Sequence, residues 1–457
     1  MTNVQVRNSV IKNRIAQMRE KDHQLFWLLM AGFMALLFIR NVFWSFPVIL
    51  LLGYVCVIAA FSDHDEIIAL AVSFIPFSAA FQYRYALIIL IAIYIIKYPK
   101  TTNRIDPKAY IPLLILMFWE MLHGIKYSFS FSSFLQGFSE LIFCTFVISL
   151  PNKKFDYKFI SRVFAVSTVF SCSVLLLKLL LSVNFNFLAI FMSGNYRLGI
   201  NDRTVTNYAF NYNPNALGAM CNIAIATLLL RMKLCTRKIV DVLLCLALAM
   251  FGLLTLSRSF IICFLLLILL FVLSAEKNFA KKIKIICFLL AILIVTVIII
   301  QSFMPYVFEN LTGRFQEDDI SNGRNDLWVE YNEHIFLSVE YSLFGIGLQN
   351  IYPKMENIYT VPPDNVPHNG IQEIVVVWGF VGLVFFVVYM FSIVFVSFES
   401  KTKKQLLNFV PIIIWAIKIM SGQMITSGKD LLMLTLFYVV FCTNFSQDIN
   451  EELINEV

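Results

Sequence analysis

The sequence predicts an all-α, polytopic integral membrane protein of about 12–14 transmembrane helices, each crossing taking roughly 20 helical residues. Three observations carry this. Hydrophobic residues make up 59% of the 457 positions and charged residues 14%, with 45 phenylalanines, far from the balance of a soluble domain. Apolar runs recur from Leu25 almost to the end of the chain. The lysines and arginines fall in short clusters between those runs, the pattern of membrane topology signals.

Taken in order, the runs are 25–39, 43–61, 67–81, 85–96, 109–125, 134–150, 159–181, 206–230, 239–256, 260–274, 285–303, 371–398, 406–420 and 431–442. A basic amino terminus (Arg7, Lys12, Arg14, Arg19, Lys21) placed in the cytoplasm makes strict alternation put every dense basic loop on that same side. These loops hold Lys97–Lys108, Lys153–Lys158, Arg231–Lys238, Lys277–Lys284 and Lys401–Lys404. The expected organisation is therefore a cytoplasmic segment 1–24, transmembrane helices over 25–303 with an external segment at 182–205, and a large extracytoplasmic loop 304–370. Transmembrane helices 371–442 and a cytoplasmic tail 443–457 follow. No cleavable signal peptide is expected, because no small-residue cleavage site follows the first apolar run.

The net charge of +7 is dispersed among these clusters and forms no groove for nucleic acid. The nine cysteines show no C-x-x-C spacing and read as small apolar side chains. No internal repeat and no inverted pair of Gly/Pro-broken helices of the transporter kind stands out.

Topology leaves five arginines unexplained. Arg197, Arg203, Arg258, Arg314 and Arg324 fall on the outer side, together with His368. Arg258 interrupts two apolar runs, at a depth where a charge is costly unless it lines a cavity; the other reading is a snorkelling helix anchor. Arg324 follows a glycine at the start of a short amphipathic segment, where backbone N–H groups and a guanidinium converge on one phosphate; a solvated pair with a nearby aspartate is the alternative. Arg197 and Arg203 flank residues 198–202, and either suits a second phosphate. His368 sits in a proline-bounded turn, where an imidazole can accept a hydroxyl proton at neutral pH, although a lone histidine is more often structural. Glu120 and His123, one turn apart, make an incomplete metal site and read as a hydrogen-bonded or cavity-lining pair. Asp63–Glu66 reads as a solvated turn, and Lys178 as the clearest deep charge.

Five motifs in order carry a resemblance: Asn213-Pro214-Asn215, Ser257-Arg258-Ser259, Gly323-Arg324 with Leu327-Trp328, Leu343-Phe344-Gly345-Ile346-Gly347, and Pro367-His368-Asn369 with Trp378-Gly379 and Gly382. Together they resemble the O-antigen ligase and O-antigen polymerase superfamily of bacterial surface-polysaccharide enzymes, over roughly the second half of the chain. The resemblance implies a GT-C-type membrane glycosyltransferase that uses no metal or other cofactor. Its implied donor is an undecaprenyl-diphosphate-linked oligosaccharide, handled within membrane lipid at the outer face of the bacterial inner membrane, with a chain-length regulator protein as a possible partner. It also implies Arg258 and Arg324 as diphosphate ligands, Arg197 or Arg203 as a third cation, and His368 as the base. A polysaccharide polymerase is the preferred reading. A ligase delivering glycan to lipid A-core is the alternative within the family, and a flippase or transporter the alternative of another class.

Overall fold

A computed structural model describes residues 23–78, 80–81, 83–127, 131–151, 155–186, 197–199, 213–234, 239–275, 280–284, 324–336, 338–348, 369–398, 406–420 and 429–442. A few isolated positions between these are also described. The protein is all-α, and no strand occurs among the described residues. The helices are α1 (Gln24–Val42), α2 (Val48–Phe61), α3 (His64–Phe77), α4 (Tyr83–Lys97), α5 (Ile111–Tyr127), α6 (Phe131–Ser149), α7 (Tyr157–Ser182) and α8 (Pro214–Leu234). After them come α9 (Ile239–Leu254), α10 (Arg258–Ala275), α11 (Arg324–Phe336), α12 (Val339–Phe344), α13 (Gly370–Phe398), α14 (Leu406–Ile419) and α15 (Lys429–Cys442). The expected run 285–303 lies almost wholly outside the described residues.

By length and composition, five stretches among the described residues are able to cross a bilayer: Gln24–Val42, Pro107–Ile125, Tyr157–Ser182, Pro214–Lys233 and Gly370–Ile393. Shorter apolar helices accompany them. Residues Glu66–Phe77 and Asp430–Cys442 are buried along their whole lengths, so α3 and α15 lie inside the bundle. The outward faces are equally oily, with Ile96 80% and Ile125 83% exposed, as a lipid-facing surface requires.

Polar contacts sort the helix ends. The Tyr157 hydroxyl at the start of α7 bonds Thr227 O late in α8. Tyr438 near the end of α15 donates to Ile148 O at the end of α6. The Phe155 ring meets both Tyr438 and His64, and His64 bonds Tyr94. Hence the starts of α3 and α7 share one end of the bundle with the ends of α4, α6, α8 and α15. The opposite end gathers the starts of α8, α10, α13 and α15 and the end of α14.

At the first end, Asp63–Glu66 is no solvated turn. Asp63 and Glu66 form a reciprocal capping box on α3, and Glu66 is buried because its carboxylate also meets His23 Nδ1 at 2.8 Å. His23 stacks on Phe159 at 3.9 Å, tying α1 to α3 and α7. Burial alone would lower this imidazole, but its hydrogen bonds to the Asp156 and Glu66 carboxylates outweigh it and push it up to about 10.

The second structural device is a break inside α13. The expected span 371–398 is not one continuous helix, since Gly379 adopts φ 70° and ψ −178°, a conformation that glycine alone takes cheaply. The carbonyls freed by the break are recaptured. Ile346 N–H donates to Val376 O at 3.0 Å and Gly347 N–H to Val377 O at 2.7 Å, while Trp119 Nε1 of α5 donates to Trp378 O at 2.9 Å. Gly345, at φ 74°, lies backbone to backbone against this break: a Cβ on it would run into Val377 and Gly379, and one on Gly379 into Leu343 and Phe344.

Gly379→Ala is therefore expected to cost more than the ~1–2 kcal/mol of left-handed backbone strain, read as a lower melting temperature of the detergent-solubilised protein. Gly53→Ala, whose Cβ meets nothing within 4 Å in the interior of α2, is expected to be neutral or mildly stabilising. The His23 clamp predicts a pH dependence. Its imidazole is raised in the fold, so its stabilisation is complete below pH ~6.5 and vanishes as pH rises through about 10. The melting-temperature gap between wild type and His23→Gln is expected to close over that interval.

Candidate functional site at the α8–α10 and α13 starts

The second bundle end holds the sequence-derived arginines that the structure describes. Its first half is a joint between two helix starts. Asn213 caps α8 by accepting Asn215 N–H at 2.9 Å, with Pro214 in the first helical position, where its missing N–H costs nothing. Ser257 caps α10: its hydroxyl oxygen accepts Phe260 N–H at 3.4 Å and its proton goes to Asn215 Oδ1 at 2.8 Å. That leaves Ser259 as donor in the 2.8 Å bond between the two serine hydroxyls. Two positive helix ends are thereby pinned side by side, and Arg258 is the first residue of α10.

Arg197 belongs to the same joint. Its Nε donates to Thr255 O at 2.8 Å and its other arm to Leu256 O at 3.4 Å, while Leu198 N–H donates to Leu254 O at 3.0 Å. These bonds hold the α9–α10 turn, in which Leu256 takes φ 48°, a strained value for a leucine. Arg197 therefore binds the turn that leads directly into Arg258 and orders the chain that presents it. Arg203 lies outside the described residues.

The second half is the start of α13. Asn369 caps it, its side-chain oxygen accepting Ile371 N–H at 3.0 Å and Gln372 N–H at 3.3 Å. His368 adjoins this cap and lies outside the described residues. Glu373, fully buried in the first turn, accepts Met424 N–H at 2.6 Å and Ile425 N–H at 2.9 Å, which anchors the α14–α15 connection. An ion pair between Lys418 and Asp430 closes the same connection. α14 packs on α8 and α10 and its end seats Gly370, so it is the neighbour shared by both halves.

α11 is the short amphipathic helix expected from the sequence, with Tyr331 and Ile335 buried. Arg324 is its first residue, although its side chain lies outside the described residues. One turn on, Trp328 O accepts Gln372 Nε2 at 2.9 Å, and Asn332 Oδ1 accepts the same nitrogen at 2.9 Å. α11 is thus fastened to the cap that adjoins His368.

Glu120 and His123 hold the end of α12 and the segment that follows it: Glu120 accepts Leu348 N–H at 2.9 Å and Trp378 Nε1–H at 2.8 Å, and His123 Nε2 bonds Phe344 O. Lys178 is not the clearest deep charge, since Glu140 is fully buried and paired with Arg84 at 2.8 Å, and Asp241 with Arg231 and Arg162. The described side chains with metal-ligand spacing are His23, Asp63 and Glu66, at the far end of the bundle and already engaged as clamp and cap.

Residues 243–387, from α9 into α13, match the family described as O-Antigen ligase. The match includes Arg258, Arg324 and His368, and supports an O-antigen ligase or polymerase-like family. No curated protein matches the chain.

Ser257→Ala removes the α10 cap and its bond to Asn215 together. A loss of about 1–2 kcal/mol is expected from comparable cap deletions, checked as a lower melting temperature of the purified protein.

Proposed function

We propose that this chain, whose residues 243–387 match the O-antigen ligase family, is a polysaccharide polymerase of the outer face of the bacterial inner membrane. It joins undecaprenyl-diphosphate-linked repeat units. The observation that carries the reading is the joint at Arg258, where two helix starts and two arginines converge at one end of the bundle.

In this mechanism the bond that breaks joins the donor's anomeric carbon to the diphosphate oxygen, and negative charge grows on the departing phosphate. Arg258 and Arg324, with Arg197 or Arg203 as a third cation, meet that charge; donors fixed in advance lower the barrier because they need no reorganisation. The acceptor hydroxyl attacks the same carbon from the opposite side and passes its proton to His368. The guanidinium groups serve the neutralising role that a metal ion would otherwise fill, so the reaction is metal-independent. The GT-C architecture, with the active site facing the periplasm, follows from this assignment.

A second reading is a ligase that delivers glycan to lipid A-core, favoured by the description of the matched family. A strain lacking the protein separates the two: single capped repeats mark a polymerase, and free lipid-linked polymer with bare core marks a ligase. On complementation, Arg258→Ala and His368→Ala are each expected to abolish the glycan ladder on a gel, whereas Arg258→Lys retains a fraction, since a lysine keeps the charge and loses the bidentate fork. A transporter would tolerate His368→Ala, so a full ladder from that variant overturns the enzymatic reading.

A further inference from the structure

At the first bundle end, a cavity of ≈ 230 Å³ opens between the turn that precedes α5, the end of α6 and the last turns of α13. Arg104, Asp106 and Lys108 line one side, Ser149 of α6 a second, and Tyr389 and Ser392 of α13 a third. The turn that carries the charges is held in place. Asp106 N–H donates to Ser149 O at 3.1 Å, Asp106 Oδ1 accepts Lys108 N–H at 3.0 Å, and the Tyr110 hydroxyl meets Ser149 Oγ at 3.2 Å. On the other wall, the Tyr389 hydroxyl donates to Leu141 O at 3.2 Å and meets Thr145 Oγ1 at 3.1 Å, which ties α13 to α6.

Two observations bear on what the cavity takes. The first is charge. Arg104 and Lys108 are both exposed at its rim, and no ion pair joins either one to a carboxylate among the described residues. Asp106 has committed one oxygen to the turn, so two cations against one carboxylate leave the lining with a net positive charge. The second is the surface that leads away from it. Along α5, Ile111, Leu114 and Phe118 are exposed, and back along α13 so are Phe391, Val388 and Val384, with Phe118 at 61% and Phe391 at 57%. Spacings of three and four make one apolar stripe on each helix, and α5 and α13 pack against each other.

A soluble anion would meet the cations and leave the stripes uncovered. A neutral lipid would cover the stripes and leave the cations unmatched, and a zwitterionic headgroup would bring an ammonium to a lining that is already positive. A phospholipid with net negative charge answers both requirements. Its phosphodiester accepts from the guanidinium and the ammonium, while its acyl chains lie along the two stripes. The volume is several times the ~30 Å³ that one water takes in the liquid, which suits a headgroup with the chains outside. Basic pockets between membrane helices take acidic headgroups for this reason.

We infer that this cavity binds the headgroup of an anionic phospholipid, with Arg104 and Lys108 as its phosphate contacts. It lies at the opposite end of the bundle from Arg258, and it stands apart from the glycosyltransferase reading. A lipid seated there bridges the turn before α5 to the end of α13, so its binding raises the stability of the fold.

The test uses the full-length protein purified in neutral detergent, with phosphatidylglycerol or phosphatidylcholine added. Retained lipid is counted by native mass spectrometry, and the melting temperature is read alongside. Wild type is expected to retain phosphatidylglycerol in preference to phosphatidylcholine and to melt higher with it. Arg104→Gln and Lys108→Gln change exposed side chains, so each is expected to match wild type in melting temperature without lipid and to hold phosphatidylglycerol about fivefold more weakly. Lys100→Gln removes a cation from the same loop but outside the cavity lining, and it is expected to bind as wild type does. An equal loss from Lys100→Gln marks a diffuse attraction to the basic loop and overturns the site. Equal retention of the two lipids overturns it as well, and displacement of phosphatidylglycerol by inorganic phosphate marks a site for a free anion instead.

Discussion

The arrangement depends on an interrupted helix. Where α13 breaks at Gly379, the carbonyls of Val376, Val377 and Trp378 would face the bundle interior unbonded. Each is met by a donor from elsewhere: two backbone N–H groups of the Gly345–Gly347 segment and the indole of Trp119. In hydrocarbon an orphaned carbonyl costs several kcal/mol, so the break exists only because those donors are in place. Glu120 and His123 secure the donors in turn. The segment before α13 is thereby tied through α12 and α5 to the bundle core, and α11 is held against the α13 cap.

The second theme is the clustering of helix starts. α8, α10 and α13 all open at one end with an Asn or Ser side chain accepting the first free N–H groups. Each cap is short, polar and locally determined, yet the Ser257–Asn215 bond turns two of them into one rigid joint. Arg197 adds to it by binding the carbonyls of the preceding turn. Its guanidinium is therefore partly committed to structure.

Much of this was legible in the residues. Apolar runs marked the helices, and Arg258 and Arg324 stood out because they lie apart from the basic clusters that set topology. Three features were hidden for a common reason. The partners of the α13 break, the grip of Glu120 and His123, and the bonds from Gln372 to α11 all depend on segments far apart in sequence, and no local pattern encodes them. Gln372 and Glu373 look like ordinary polar residues at the start of a helix; only the fold shows one fastening α11 and the other sealing a connection.

The interruption also bears on how the chain is made. Trp119 and the Gly345–Gly347 segment both precede α13 in the order of synthesis, so every donor that Val376, Val377 and Trp378 need has left the ribosome before they do. The break lies roughly 13 Å into the helix at 1.5 Å per residue. Biogenesis thus runs from dock to cargo: α5 and the Gly345–Gly347 segment form a berth, and the last long helix enters a place whose donors are already made.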